Sequence, residues 1–190
     1  MKLYKSLLCF CLIFCALQLR AQVEAPYTSL NNITLTIPGQ SIRYSYFSNQ
    51  LLFRLNQETA KLEMRVPISS FTPANTGSPQ ILLQELFLAR QFPELVITFD
   101  LPMEMLQPLD PIVQNRRLEG VVLAQGRPRD IAPEVNFIPL RNEFTFSTVF
   151  DFNLRDPGIV LPQAYAGMVS GQVEVVIEKA RWIYQTDTAR

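Results

Sequence analysis

Residues 144–154 read Phe-Thr-Phe-Ser-Thr-Val-Phe-Asp-Phe-Asn-Leu. Phe144, Phe146, Phe150, Phe152 and Leu154 fall on one side of an extended chain, and Thr145, Ser147, Asp151 and Asn153 on the other. A period of two marks a strand with one buried face, whereas a helix would scatter these residues around its surface.

The same alternation recurs on both sides of this stretch. Ile42, Tyr44 and Tyr46 alternate with Arg43 and Ser45, and Leu51, Phe53 and Leu55 with Arg54 and Asn56. Leu62, Met64, Val66 and Ile68 alternate with Glu63 and Arg65. Leu95, Ile97, Phe99 and Leu101 alternate with Thr98 and Asp100, and Val173, Val175 and Ile177 with Glu174 and Glu178. Leu118 to Ala124 and Val135 to Leu140 are two further short runs. Polar breaks at Gln57–Ala60, Gln125–Pro128 and Arg141–Glu143 suit hairpins, so neighbouring strands are expected to be antiparallel.

One segment changes period. From Ser78 to Arg90, Leu82, Leu86 and Ala89 form a helical stripe widened by Leu83 and Phe87. Ser78 is the expected N-cap, Pro79 the first helical residue and Pro93 the stop. Two proline-rich stretches, Pro102–Pro111 and Asp156–Gly167, are expected to be loops. The second is long for a hairpin, and long ordered loops are often gates or lids.

About eight strands and one short inserted helix make this an all-β chain. Eight antiparallel strands with alternating faces fit a closed, lipocalin-like barrel, which removes exposed edges and can hold one small ligand. A two-sheet sandwich is the alternative. A membrane-spanning barrel fits poorly, because it turns its apolar residues to lipid and needs about 10 residues per strand.

Composition removes several chemistries. The chain has no histidine, and with it go the usual general base, the usual zinc ligand and the Ser-His-Asp arrangement. Its three cysteines, Cys9, Cys11 and Cys15, all lie in the first segment. That segment has a basic start at Lys2 and Lys5, an apolar core from Leu7 to Leu17 and a small-residue site at Leu19-Arg20-Ala21. An apolar run of about a dozen residues is too short to span a bilayer, which takes roughly 20. Residues 1–21 are therefore expected to be a signal peptide and 22–190 a single domain, periplasmic or secreted, that does not span a membrane. Phe14 before Cys15 argues against a lipoprotein site. The mature chain then carries 14 basic against 17 acidic residues, a net charge of −3 that gives no support for nucleic-acid binding. Arg116-Arg117 and Arg127-Pro128-Arg129 read as solvated loop ends. Asp100 with Glu104, or Asp151 with Asp156, are the carboxylate pairs left for glycosidic chemistry, and their spacing has no recognisable signature. No enzyme activity, cofactor or metal is expected.

In this order the elements resemble the YceI-like family. Gly39-Gln40-Ser41-Ile42 is similar to its early glycine turn, and Leu62 through Phe71 to its second hairpin strand. Gln84 through Phe99, with Phe92-Pro93 inside it, resembles the family's helix, F-P pair and strand. Leu118 through Gly126 resembles its strand-Gly-turn unit, Phe150 through Ile159 its strand and corner, and Gly167 through Val173 the entry to its last strand. The family's arginine-aspartate-histidine-leucine run is replaced by Ser78-Pro79-Gln80-Ile81, and Pro157 stands where its corner has phenylalanine. The resemblance implies an exported lipocalin-like barrel that binds a polyisoprenoid or related lipid.

Apolar inward residues are what an acyl or isoprenoid chain needs. The expected contacts are Phe53, Leu55, Met64, Phe99, Phe146, Phe150, Phe152 and Val175, with Arg43, Arg54 or Arg65 available to a head group at the mouth. The same residues would equally fill a dry core. Trp182 and Tyr184 are expected to pack at the end of the last strand. Two other readings stand beside lipid binding: an interaction domain with a filled barrel, and a glycan-active protein with paired acids and exposed aromatics.

Overall fold

The computed structural model describes residues 27–56, 59–102, 114–140 and 143–183. The expected signal peptide, Glu104, Tyr184 and most of the Pro102–Pro111 loop lie outside these residues. Eleven strands are formed among them: β1 (Thr28–Pro38), β2 (Arg43–Asn56), β3 (Lys61–Pro67), β4 (Thr72–Pro73), β5 (Glu94–Asp100), β6 (Gln114–Arg117), β7 (Gly120–Ala124), β8 (Arg127–Ile131), β9 (Glu134–Pro139), β10 (Glu143–Asn153) and β11 (Gln172–Ile183). Two short helices, α1 (Gln80–Leu86) and α2 (Gln163–Ala166), and a 3-10 turn at Ile68–Ser70 complete the chain.

Every ladder is antiparallel, in the order β6-β9-β10-β11-β1-β2-β3-β5-β7-β8, with the two-residue β4 added to β2. β6 runs on into β7, and β8 into β9. The Leu118 N–H donates to the Pro133 carbonyl at 3.1 Å where both arms bend. Residues 114–124 and 127–139 thus form one long bent hairpin. Its tip half pairs with β5 and its base half with β10. Counted as continuous runs, eight strands follow each other around a barrel: β1, β2, β3, β5, the two hairpin arms, β10 and β11. The outer edges of β6 and β8 carry no ladder among the described residues. The fully closed ladder expected from sequence is therefore a curled sheet bridged by a hairpin. Pro128 sits on the free edge of β8, where its missing N–H costs no ladder bond.

Gly120 lets the hairpin approach β5. A Cβ there would lie 2.5 Å from the Thr98 carbonyl oxygen and 2.6 Å from the Phe99 ring. Gly120→Ala is expected to cost about 1–2 kcal/mol through overpacking against main chain, read as a lower urea midpoint. An unchanged midpoint would mean that the two strands separate freely.

Several elements differ from expectation. The two runs at Ile42–Tyr46 and Leu51–Leu55 are one strand, β2. Its inward face switches from Tyr44, Tyr46 and Ser48 to Leu51, Phe53 and Leu55 across a register shift against β1. β1 was not foreseen, although Ile33, Leu35 and Ile37 alternate in it with Asn32, Thr34 and the threonine between the last two. β8 begins where a break was expected, because Gln125 and Gly126, at φ 50° and 67°, make a two-residue hairpin turn. Ser78 does not cap α1. Its hydroxyl accepts the Ser45 N–H at 2.8 Å and meets Asn75 Oδ1, and Pro79 takes the cap position. α1 ends at Leu86 rather than near Pro93, since Leu88 turns left-handed (φ 50°) and the Ala89 N–H bonds the Gln84 carbonyl. α2 lies in a stretch expected to be loop.

Leu82, Leu83, Leu86 and Phe87 turn α1 into the core at the end of the barrel where β10 finishes and β11 begins. The Tyr46 hydroxyl, its pKa pushed up chiefly by burial, donates to the Pro79 carbonyl at 2.8 Å and fixes the start of the helix.

Candidate functional site: the barrel interior

The inward positions of all the major strands meet in one apolar cluster. β10 contributes Phe144, Phe146, Phe150 and Phe152, with Thr148 as its one inward hydroxyl, satisfied by the Glu134 carbonyl at 2.9 Å. The decisive contacts join strands that are not neighbours in the sheet. Phe53 on β2 meets Phe144 and Phe146 on β10, at ring centroid distances of 5.4 and 5.8 Å. Phe99 on β5 meets Phe146 at 5.5 Å and Phe150 at 6.1 Å. The rings therefore bridge the lumen from β2 through β10 to β5. Phe137 and Trp182 extend the stack at Phe144, at 4.5 and 5.5 Å. Such tilted and edge-on pairs add about 0.5–1.5 kcal/mol each beyond the area they bury.

All eight residues expected to contact a ligand are in this cluster. Phe53, Leu55, Met64, Phe99, Phe146 and Val175 are 0 % exposed. Phe150 and Phe152 keep 7 % and 6 %. Both lie on the half of β10 nearest α1, and Phe152 meets Phe87 at 6.3 Å. Phe137 and Phe144 belong to the same interior and are not among the expected ligand contacts. Their inward direction was readable, but their partners were not. Trp182 packs inward within β11.

Arg54 and Arg65 lie elsewhere. Arg54 stands between inward Phe53 and Leu55, so it points to the outer face. There it bonds Glu63, its register partner, at 2.5 Å. The Tyr27 hydroxyl donates to the same carboxylate oxygen at 3.0 Å, and the Tyr27 ring lies 4.6 Å from the Arg54 guanidinium and 5.8 Å from that of Arg65. Burial alone would raise the Glu63 pKa. Hydrogen bonds from Arg54 and Tyr27 and the charges of Arg54 and Arg65 outweigh it, and the carboxylate sits below its ordinary value. The Tyr27 hydroxyl is raised, by burial first and then by Glu63. This cluster clasps the start of β1 to the outer wall. Arg43 is exposed near the α1 end.

Of the expected carboxylate pairs, Glu104 lies outside the described residues, and the other three acids are on the surface. Asp100 pairs with Lys61 at 2.6 Å on the surface, Asp151 is exposed on the outer face of β10, and Asp156 lies 3.6 Å from Arg129. Among the described residues no group of three or more His, Cys, Asp or Glu is placed to hold a metal ion, and no helix is long and apolar enough to cross a membrane.

No family model matches the sequence, and no curated protein matches it significantly. Solved structures do match. A polyisoprenoid binding domain from Saccharophagus degradans aligns with a TM-score of 0.67 at 10 % identity, over 84 % of this chain and 100 % of that one. BcnA from Burkholderia cenocepacia aligns at 0.54 and 11 % identity, over 77 % and 93 %. A YceI protein from Campylobacter jejuni gives 0.49 at 14 % identity, over 79 % and 86 %. With its eight-run curled sheet, ring-filled lumen and helix across one end, the chain has the fold of the S. degradans polyisoprenoid binding domain.

Proposed function

We propose that the protein is a divergent YceI-like carrier without enzymatic activity. It is exported after loss of residues 1–21 and holds the apolar chain of an isoprenoid or acyl lipid within the barrel formed by residues 22–190. The observation that carries this reading is the character of the lumen. Apolar side chains from β2, β5, β10 and β11 meet across it, and no charged side chain among the described residues is buried on the inward face. The same fold in a protein described as a polyisoprenoid binding domain supports it.

Burial alone supplies the affinity. Each methylene removed from water is worth about 0.8 kcal/mol, so ten carbons gain roughly 8 kcal/mol before ordering costs, or about micromolar binding if little is lost. The packed rings set the condition: a chain enters by moving side chains, first Phe150 and Phe152, which keep residual exposure. One observation favours a second reading, an interaction barrel with a permanently filled core, namely the complete burial of Phe53, Phe99 and Phe146 against one another.

Native mass spectrometry of the protein from its own cell envelope separates the two. The expected result is a chain beginning at Gln22 that carries a lipid released by organic extraction. A bare chain would leave the interaction barrel standing, and a chain beginning at Met1 would overturn export.

A further inference from the structure

Residues 156–169 cross the α1 end of the barrel and are joined to it differently from the strands. Among the described residues they share one isolated bridge with the sheet, Gly39 to Val169, and their only helix is the four-residue α2. Ile159, Leu161 and Tyr165 rest on the core and are only partly buried.

Polar groups from several separate elements hold the segment, among them Gln40 between β1 and β2, which donates to the Gly167 carbonyl at 2.7 Å. The buried Gln125 side chain, at the β7–β8 turn, treats Val160 as a strand partner would. Its Oε1 accepts the Val160 N–H at 2.9 Å and its Nε2 donates to the Val160 carbonyl at 2.8 Å. The same Nε2 donates to the Leu86 carbonyl at the end of α1, also at 2.8 Å. One amide thus ties hairpin tip, helix and covering segment together. Arg129 donates to the Pro157 carbonyl at 2.6 Å. Arg155 donates to the carbonyls of Ala166, Val169 and Ser170 at 2.6, 2.9 and 2.7 Å. Glu85 on α1 raises the pKa of the Tyr165 hydroxyl.

Turn chemistry explains Gly126 but not Gln125. The first position of a two-residue turn with positive φ favours Asn, Asp or Gly, whereas Gln125 has φ 50° and a buried amide. Its contacts supply the missing reason. Gly158 (φ 88°), inside the segment near its start, and Gly171 (φ 89°), just past its end, have backbone that L side chains rarely adopt. A segment tied to the sheet by side-chain hydrogen bonds and half-buried apolar residues rather than by a ladder belongs to the part of a fold that opens first. Through Gln125 the segment is tied at Val160 to Leu86, the chain neighbour of Phe87, which meets Phe152 at 6.3 Å; Phe152 and Phe150 are the ligand-contact candidates with residual exposure.

The geometry points to Asp156–Val169 as the gate through which an apolar chain enters the barrel, with Gln125 as its latch; this rests on the lipid-binding reading above. Opening it frees the end of the lumen without breaking any of the eight strand runs. Closing it buries the chain beneath Ile159 and Leu161.

Gln125→Ala and, separately, Arg129→Ala test the gate, by amide hydrogen exchange and by the rate of cis-parinaric acid uptake. In Gln125→Ala the amides of residues 159–165 are expected to exchange at least tenfold faster while those of β3 and β5 keep their protection. Uptake and release of the probe accelerate together, and its equilibrium affinity changes less than threefold. Arg129→Ala, which removes a different tie, shows a smaller change in the same direction and keeps the test alive if the first variant does not fold. Exchange that rises uniformly over the protein overturns the gate, because the segment is then not a separate unit. Faster exchange at 159–165 with unchanged uptake also overturns it and leaves lipid binding intact. If neither wild type nor variants take up the probe, lipid binding fails and the gate fails with it.

Discussion

Phe146→Ala is expected to cost about 3–5 kcal/mol, the usual loss for a buried aromatic truncated to alanine, and to lower the melting temperature by roughly 6–20 °C in a domain of this size. Phe146 is 0 % exposed and meets both Phe53 and Phe99, so its ring closes the bridge between β2 and β5 across the lumen. Those partners are anchored on different strands, which limits how far they can collapse into the space left. Thermal unfolding of the variant measures the effect. A shift under about 2 °C would show that the rings do not pack across the barrel. Val149→Ala serves as the comparison, since Val149 is one strand residue away from the Phe150 ring but outward and exposed, and such surface changes stay within about 0.5 kcal/mol.

Glu63→Gln is the second large effect. Glu63 holds the buried Arg54 guanidinium at 2.5 Å and accepts from Tyr27 at 3.0 Å. Removing its charge leaves Arg54 buried without that carboxylate. For a fully buried pair the loss is about 3–5 kcal/mol; roughly 2–4 is expected here, because Glu63 keeps some water contact. The pH dependence has a fixed sign. The pKa of Glu63 is depressed in the folded protein from its ordinary 4.5. Its stabilisation is thus complete above about pH 4.5 and is lost as pH falls through the lower folded value. Urea midpoints of wild type and variant should differ most at neutral pH and converge in acid. A gap that stays constant with pH would assign the loss to shape rather than charge.

Much of this architecture was legible because strand alternation is a local property. Successive side chains point to opposite faces whatever the strand pairs with. Phe146, Phe150 and Phe152 on β10, Met64 on β3, Phe99 on β5 and Val175 on β11 could therefore be assigned inward before any pairing was known, and all of them are in the core. The α1 stripe of Leu82, Leu83, Leu86 and Phe87 was readable for the same reason, with period 3.6 in place of 2. Where the local rule is interrupted, reading failed. A register shift between Ser48 and Leu51 reverses the inward face of β2 and makes one strand look like two.

By itself, then, the sequence determined an all-β chain, the inward face of most strands, one helix and the absence of histidine chemistry. Only the tertiary structure decided that Phe53, Phe146 and Phe99 meet across the lumen, that Arg54 and Arg65 stand with Glu63 and Tyr27 on the outer wall, and that Gln125 ties the hairpin tip to α1 and Val160. The reason is one of range. A face follows from the dihedral angles of a single residue and its neighbours. A contact between β2 and β10, or between residues 35 positions apart such as Gln125 and Val160, depends on strand order, register and the bend of the 114–139 hairpin, and these are fixed only when every strand has found its partner.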